Sequence, residues 1–341
     1  MSHCSVTGFV PRCMTRFLTR WLARWMAAGV LLTTPLQPHA ATWSVAPGTA
    51  LPTVGRAIAR AASGDIIEVQ PGQYRGDVAV ILQKQLTIRG VGARPVILAD
   101  GQHAEGKAIW VVRDGDIRIE NIEFRGARVP DRNGAGIRFE GGRLHIVACA
   151  FFDNEMGLLT ANFSDAELTI EDSQFGLAPT HAGDLHHLLY VGRIARLSVR
   201  NSHFSRGFRG HLIKSRARQT EVIGSSVVDG PRGRASYQID LPNGGLARLE
   251  GNTIGKGPQA ENATLVAFGA EGAAWPESAL TMQDNRLINL GRAAAHFVRV
   301  WPDRLPEAAP IVLRDNHLIG RGDLLAGPAA RLEGNQALAQ P

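Results

Sequence analysis

A short motif recurs along this chain and limits the folds that it can adopt. The motif has alternating apolar residues, then two polar or small residues, then one apolar residue, as in the stretch LTIEDSQF at 168–175. A unit this short cannot bury its own apolar side chains, so several copies must stack on one another. Clear copies begin at Ile117, Leu144, Leu168, Leu197, Ala247, Leu280 and Ile311.

The spacing of the copies favours one kind of repeat protein. The last apolar position of successive copies recurs every 24 to 33 residues. Leucine-rich and ankyrin repeats have nearly fixed lengths, whereas a parallel β-helix keeps its strands in register and varies its turns. Because equivalent residues of successive coils stack, we expect the four phenylalanines to form one buried column. The positions are Phe124, Phe151, Phe175, Phe204, Val228, Ile254, Leu287 and Leu318.

The second polar position of the motif predicts a ladder of side chains along the solenoid axis. Stacked about 4.8 Å apart, such side chains can bond from coil to coil. Cys149 occupies the same position, which favours a small ladder or core residue over a nucleophile. The other members are Ser173, Ser202, Ser226, Asn252, Asn285, Asn316 and Asn335.

The segment before the first clear copy predicts how the solenoid begins. Residues 51–62 place apolar residues on one helical face, which predicts a helix that caps the open first coil. The stretches GDIIEVQPGQY at 64–74 and LTIRGVG at 86–92 follow. They resemble the opening of the pectate-lyase-like superfamily of right-handed parallel β-helix proteins. The expected fold is therefore all-β: one right-handed parallel β-helix domain of about ten coils over residues 41–341.

Residues 1–40 have the features of a signal peptide. An arginine-rich stretch that ends at Arg24 precedes a short apolar run and small residues that predict cleavage after Ala40 or Ala41. The run is too short for a stable membrane span. We therefore expect a periplasmic or secreted protein. Removing the four leader arginines lowers the net charge from +6 to +2, which gives no argument for nucleic-acid binding. Cys149 is then the only cysteine, so no intramolecular disulfide can form.

Residues able to transfer protons concentrate in three further segments that fall between motif copies. The segments are 187–192, 210–216 and 235–241. If Leu189, Val191, Ile213, Ser215, Tyr237, Ile239 and Leu241 point inward, strand alternation turns the intervening residues outward. The outward set is Tyr190, Lys214, Arg216, Gln238 and Asp240.

This face predicts a site on which Tyr190, Lys214 and Asp240 lie side by side on adjacent coils. Its candidate catalytic residues are Lys214, Arg216, Tyr190 and Asp240. Its candidate substrate-binding residues are His187, His211, Gln238 and Asn243, although His187 and His211 share the inward parity unless they precede their strands. We expect Lys214 to be exposed, so that its loss would hardly change stability. His181, His186 and His187 lack a further ligand at metal-binding spacing, so no metal and no cofactor is expected.

Such a cluster suits β-elimination from a uronic-acid sugar. This reaction needs a cation to neutralise the carboxylate, a base for the α-proton and an acid for the leaving oxygen. Lys214 or Arg216 would be the cation. A lysine whose pKa is lowered by Arg216 would be the base, and Tyr190 or a histidine the acid. By resemblance, the closest analogues are the chondroitinase-B-like and alginate lyases, which look to use a lysine base and an arginine acid.

Three functions are consistent with these residues. The first is an exported polysaccharide lyase that acts on an acidic glycan. The second is a non-catalytic solenoid that binds a polysaccharide or a cell-envelope glycan, since an ion pair between neighbouring strands is also a common structural feature. The third is a glycoside hydrolase, which needs two carboxylates at a defined separation. On the outward parity only Asp240 and Glu140 are carboxylates, and they belong to distant coils.

Overall fold

The repeat forms three parallel β-sheets, to each of which every coil contributes about one strand. The computed structural model describes residues 40–181, 185–307 and 309–338. Within these ranges, strands that are neighbours in a sheet come from successive coils, and all of the sheet pairings are parallel. The predicted leader lies outside the described residues except for Ala40. The chain from Ala40 onward forms one compact unit.

The motif itself supplies the first sheet. The two alternating apolar residues of each copy point into the core, as Ile117 and Ile119 do. The twelve described strands are Thr42–Val45, Ile66–Val69, Gln85–Gly90, Asp116–Glu120, Arg143–Val147, Glu167–Glu171, Arg196–Arg200, Gln219–Ile223, Leu246–Glu250, Ala279–Gln283, Ile311–Arg314 and Arg331–Glu333.

The second sheet begins at once after the polar pair and carries the phenylalanine column. Its eleven described strands are Gln73–Arg75, Val96–Leu98, Glu123–Arg125, Ala150–Phe152, Gln174–Gly176, His203–Ser205, Ser226–Val228, Thr253–Lys256, Arg286–Asn289, His317–Ile319 and Gln336–Leu338.

The third sheet is the one that carries the predicted site, and we call its outer surface the site face. Its ten described strands are Ala79–Ile81, Ala108–Arg113, Ala135–Glu140, Met156–Thr160, Leu189–Val191, Ile213–Ser215, Ile239–Leu241, Thr264–Phe268, Ala295–Val300 and Gly322–Ala326.

The turn between the first two sheets explains why the motif contains a polar pair. Its first residue has a positive φ in most coils, for example 51° at Asp172 and 48° at Asn201. Glycine, asparagine and aspartate tolerate this conformation best. Ala148, at φ 52°, occupies the same position without that advantage.

The second residue of the pair forms the predicted ladder. The amide of Asn285 donates to Oδ1 of Asn316, and the amide of Ser173 donates to Oγ of Ser202. Cys149 is fully buried in the same ladder, and burial raises the pKa of its thiol to about 12, as a structural cysteine requires. In one coil the predicted register is wrong by a residue. Ser225, not Ser226, bonds in the ladder.

The predicted phenylalanine column is confirmed. Rings of Phe124, Phe151, Phe175 and Phe204 stack with centroids 4.6–5.2 Å apart and are almost fully buried. Burying each contributes about 2–3 kcal/mol. The column continues in Val227, which pairs with Phe204, whereas Val228 was the predicted position. A two-serine sequence at 225–226 made the register ambiguous.

The N-terminal helix is shorter than predicted and covers the first coils. It spans Val54–Arg60, and the side chain of Thr53 accepts a hydrogen bond from the Arg56 amide at its start. Val54 and Ile58 are buried against the core that the first strands form. A single turn of 3-10 helix, Pro302–Arg304, follows the third sheet's ninth strand. Among the described residues, no helix is long and apolar enough to cross a membrane.

Candidate functional site

Three of the predicted residues lie side by side on the site face. Tyr190 pairs in register with Lys214, and Lys214 pairs with Asp240. The three side chains therefore stand on adjacent coils, about one strand spacing apart. Their predicted placement is confirmed, while the roles assigned to them remain predictions.

The residues just before these strands do not follow simple alternation. Two successive residues turn inward at each strand start, so that both Leu212 and Ile213 are fully buried, as are Leu188 and Leu189. The chain bends here to begin the flat face, and the strands themselves have only three residues. The in–out alternation of the strands therefore does not extend to the residues before them, which point to the side opposite to the one that alternation predicts.

Because of this bend, the predicted orientations of Gln238 and Tyr237 are wrong, and His187 and His211 point outward. Gln238 occupies the position of Leu212 and is fully buried, and neither polar atom of its side chain has a hydrogen-bond partner within the described ranges. It cannot bind a substrate on the face. Tyr237 was predicted to point inward, but its ring packs on that of His211, with centroids 4.9 Å apart. His187 and His211 precede their strands and lie on the outer face.

Lys214 and Asp240 form a nearly buried ion pair, which contradicts the exposure predicted for Lys214. Lys214 is 6% exposed and Asp240 1%, and Nζ lies 3.1 Å from Oδ2. Burial favours the neutral form of Asp240, but His211 and Lys214 outweigh it and lower the pKa of this carboxyl. His211 Nδ1 lies 3.0 Å from the same oxygen. Asp240 is therefore an anion that pairs with Lys214 and lies beside the His211 ring, whose Nδ1 has no hydrogen-bond partner among the described residues.

A carboxylate that the sequence analysis missed completes the cluster. Glu271 lies on the turn 269–278, and its two oxygens lie 2.6 Å from Lys214 Nζ and 2.5 Å from Arg216 Nη2. Positive φ values at Gly269 and Gly272 allow the turn to fold back over the face. Burial alone would raise the pKa of Glu271, but the two cations lower it. Its side chain is still 43% exposed.

Arg216 joins Glu271 to Tyr190 and Asn243. Its Nε donates to the Tyr190 hydroxyl at 3.0 Å, and its Nη1 donates to Asn243 Oδ1 at 2.8 Å. Asn243 lies at the edge of the face, as predicted, and its own amide donates to the Gly272 carbonyl. The Tyr190 hydroxyl accepts from Arg216, so its proton remains available for another acceptor.

The pKa of Lys214 is shifted in the direction opposite to the prediction. Burial lowers it, but the charges of Asp240 and Glu271 raise it by more. Lys214 is therefore an ammonium ion at neutral pH and cannot act as the base. The predicted shift followed from the neighbouring cation Arg216, whereas the two anions that decide its sign come from other coils.

The two histidines differ in their chemistry. Burial, followed by the nearby His211, Lys214 and Arg216, holds the pKa of His187 well below its usual range. His187 is thus neutral, and its Nδ1 accepts a hydrogen bond from the His211 amide. This assigns the proton of His187 to Nε2, where it can only donate. His211 instead has its Nδ1 close to the Asp240 carboxylate, 3.0 Å from Oδ2.

Three other residues considered from the sequence lie outside this cluster. Glu140 is bound by Lys107 and Arg113, several coils away. His181 and His186 have their ring centroids 5.8 Å apart. Across the ranges 40–181, 185–307 and 309–338 no group of three or more histidine, cysteine, aspartate or glutamate side chains is arranged to hold a metal ion.

The sequence matches no protein-family model and no curated protein sequence, but solved structures are similar to it. Pectate lyase Pel9A matches with a TM-score of 0.56 at 13% identity, over 86% of this chain and 79% of that chain. ORF18 of Geobacillus virus E2 matches with a TM-score of 0.50 at 11% identity, over 81% and 53%. An alginate lyase from Paenibacillus sp. strain FPU-7 has a TM-score of 0.49 at 16% identity, over 87% and 99%. At these identities the likeness establishes the fold alone.

Proposed function

We propose that this chain, which has the right-handed parallel β-helix fold of pectate-lyase-like proteins, is an exported lyase that cleaves an acidic polysaccharide. The observation that carries the proposal is the position of Glu271. Its carboxylate is held at once by an ammonium and a guanidinium, at 2.6 and 2.5 Å. A uronic-acid carboxylate has the same charge and shape, so it can take this place when the half-exposed Glu271 side chain turns away.

The two cations account for the most difficult part of an elimination. Removing the proton next to a carboxylate builds negative charge on that carboxylate, which Lys214 and Arg216 stabilise from fixed positions. The electrons of the broken C–H bond form the C=C bond, and those of the broken C–O bond leave with the glycosidic oxygen. One group must take a proton and another must give one.

Tyr190 and His211 are the residues best placed for these proton transfers. The Tyr190 hydroxyl lies against Arg216, next to the carboxylate position. His211 has its Nδ1 3.0 Å from Asp240 Oδ2, and its imidazole can serve as an acid or a base. Lys214 stays protonated, so we assign it to charge neutralisation and not to the base role that the sequence had suggested.

A glycoside hydrolase has better geometric support than the sequence indicated, but poorer electrostatic support. Asp240 and Glu271 both contact Lys214 Nζ, so their nearest oxygens are at most about 6 Å apart, near the separation of a retaining pair. Hydrolysis needs one of the two acids to be protonated. The pKa values of both are lowered by their cationic partners, so neither is that acid.

Glycan binding without cleavage is the second candidate. The charge balance of the cluster favours it, because a carboxylate already neutralises each cation. Such paired charges are typical of a surface that binds a ligand without reacting with it. The partner in either case is a polysaccharide or a cell-envelope glycan. Export rests on the leader-like residues 1–40, and N-terminal sequencing of periplasmic protein should find Ala41 or Thr42 first.

The experiment is a screen of the purified protein against polygalacturonate, alginate and chondroitin sulfate. A lyase gives products that absorb in the ultraviolet because they contain a new double bond. A hydrolase gives reducing ends without this absorbance, and a binder gives neither but retains the polymer. The proposal fails if no polymer yields the absorbing product.

Tyr190→Phe is the diagnostic variant, because it removes one hydroxyl and leaves the ring in place. We expect the rate to fall by at least about a hundredfold, the lower range for loss of a proton-transfer group. Tyr74→Phe is the matched control, since the Tyr74 hydroxyl is also hydrogen-bonded, to backbone carbonyls, but lies in the N-terminal coils. Equal rates for both variants would remove Tyr190 from the reaction.

A further inference from the structure

The site face continues beyond Asp240 into a cavity that the cluster described above does not use. The cavity has a volume of about 370 Å³ and lies along the C-terminal coils of the third sheet. Its lining includes His296, Arg299, Trp301, Pro302, Ala326 and Gly327. The small residues of the last coil leave room beside the larger ones.

The register connects this cavity to the cluster. Asp240 pairs with Ala267, and Ala267 pairs with Arg299, so Arg299 stands in the same outward column two coils further on. Two strand spacings are about 10 Å. His296, three residues before Arg299, lies on the same strand and also lines the cavity. A linear chain that lies along the face at Lys214 would therefore reach Arg299.

Tyr237 lies between the cluster around Lys214 and the cavity lined by Arg299. The Tyr237 ring packs on that of His211. Burial and the charge of Asp240 raise the pKa of the Tyr237 hydroxyl, whereas the charges of Arg299 and Lys214 lower it. The charge of Arg299 thus acts on the same side chain as the charge of Lys214. The cavity and the cluster belong to one electrostatic environment.

Arg299 differs from the arginine of the cluster in having no anionic partner. Arg216 is bound to Glu271, whereas Arg299 has no ion pair with any described residue. Its guanidinium carbon lies 4.7 Å from the centre of the Trp301 ring, and the side chain is exposed. A cation fixed on an aromatic face, with its charge unneutralised, is suited to an acidic ligand that also has an apolar side.

We propose that Arg299 and Trp301 form a second sugar-binding subsite, which takes an acidic sugar of the same polysaccharide about three coils from Lys214. Arg299 binds the sugar carboxylate, and the part of the Trp301 indole that Arg299 does not cover packs against the C–H side of a sugar ring. This inference rests on the proposed function for the identity of the ligand. It adds the direction of the chain across the face and a preference for longer substrates.

The test compares short and long ligands. Binding of galacturonate and mannuronate oligomers, from dimers to hexamers, is measured by calorimetry with the full protein and with Arg299→Ala. We expect hexamer affinity to fall roughly tenfold, and dimer affinity at the cluster to stay within about twofold. A carboxyl-reduced hexamer should bind wild type and variant equally. Trp301→Ala should also weaken the hexamer selectively.

Arg292→Ala is the matched control, because Arg292 is an exposed arginine on the turn before the same strand, at the end opposite to Trp301. Equal losses for dimer and hexamer in Arg299→Ala, or an equal loss in Arg292→Ala, would overturn the subsite. Failure of wild type to bind any hexamer would do the same. Length-dependent binding through Arg299 without an unsaturated product would keep the subsite and reject the lyase.

Discussion

Replacing Lys214 with methionine tests the electrostatics of the site directly. Methionine keeps most of the apolar stem but removes the ammonium. Asp240, whose side chain is 2% exposed, is then left with only the His211 ring close to its carboxylate. Breaking a buried pair by removing one partner costs about 3–5 kcal/mol, because the remaining charge is buried without compensation. For a chain with about 300 folded residues this lowers the melting temperature by roughly 5–8 °C.

The pH dependence of this loss has a definite sign. The pKa of Asp240 is lowered in the folded protein, so its stabilising contribution exists above its ordinary pKa and disappears as the pH falls through the folded value. The pKa of Lys214 is raised, so its contribution exists below its ordinary pKa and is lost only in strong alkali. The difference between wild type and variant should therefore be full at neutral pH and shrink in acid.

Lys256→Met is the control, since Lys256 is also 6% exposed but its pKa is lowered by burial alone. It should lose little stability or gain some. Urea and thermal melting of both variants, and of Lys214→Met combined with Asp240→Asn, measure the effect. The double variant should recover most of the loss. A Lys214→Met protein within about 1 kcal/mol of wild type at neutral pH would refute the reasoning.

Three further predictions concern the solenoid. Phe151→Ala, in the middle of the ring column, should cost about 3–5 kcal/mol in urea melting, and a loss below about 1 kcal/mol would mean that the stack does not stabilise the coils. Ala148→Asn should raise the melting temperature, by about 1 kcal/mol of stability, because asparagine accepts the positive φ; Ala150→Asn, on a buried strand, should lower it. Burial raises the pKa of Asp229 to about 6, although hydrogen bonds from the backbone amides of Ala235 and Gly207 lower it in part. Asp229 then binds a proton more tightly when folded, so wild type should gain about 2–3 kcal/mol over Asp229→Asn as the pH falls from about 7 to about 4.

Periodic features of the molecule could be predicted from the sequence, and contacts through turns could not. The phenylalanine column and the row from Tyr190 to Asp240 follow from strands that repeat in register. Gln238 was misplaced because alternation holds only inside a strand, and the chain bends just before it. Glu271 was missed because it lies on a turn of ten residues, 269–278, where no periodicity relates sequence position to direction. The negative charges of Asp240 and Glu271 together reverse the expected pKa shift of Lys214.

The turn that carries Glu271 leaves and rejoins the solenoid at fixed points. Leu241 pairs with Phe268 and Leu246 pairs with Ala279, so four residues in one coil and ten in the next bridge the same gap. Length and content of this segment can thus change while the strands keep their places. Insertions and deletions here offer evolution, or a protein engineer, a way to change the groups that fold over the site face without rebuilding the scaffold that holds Tyr190 and Lys214.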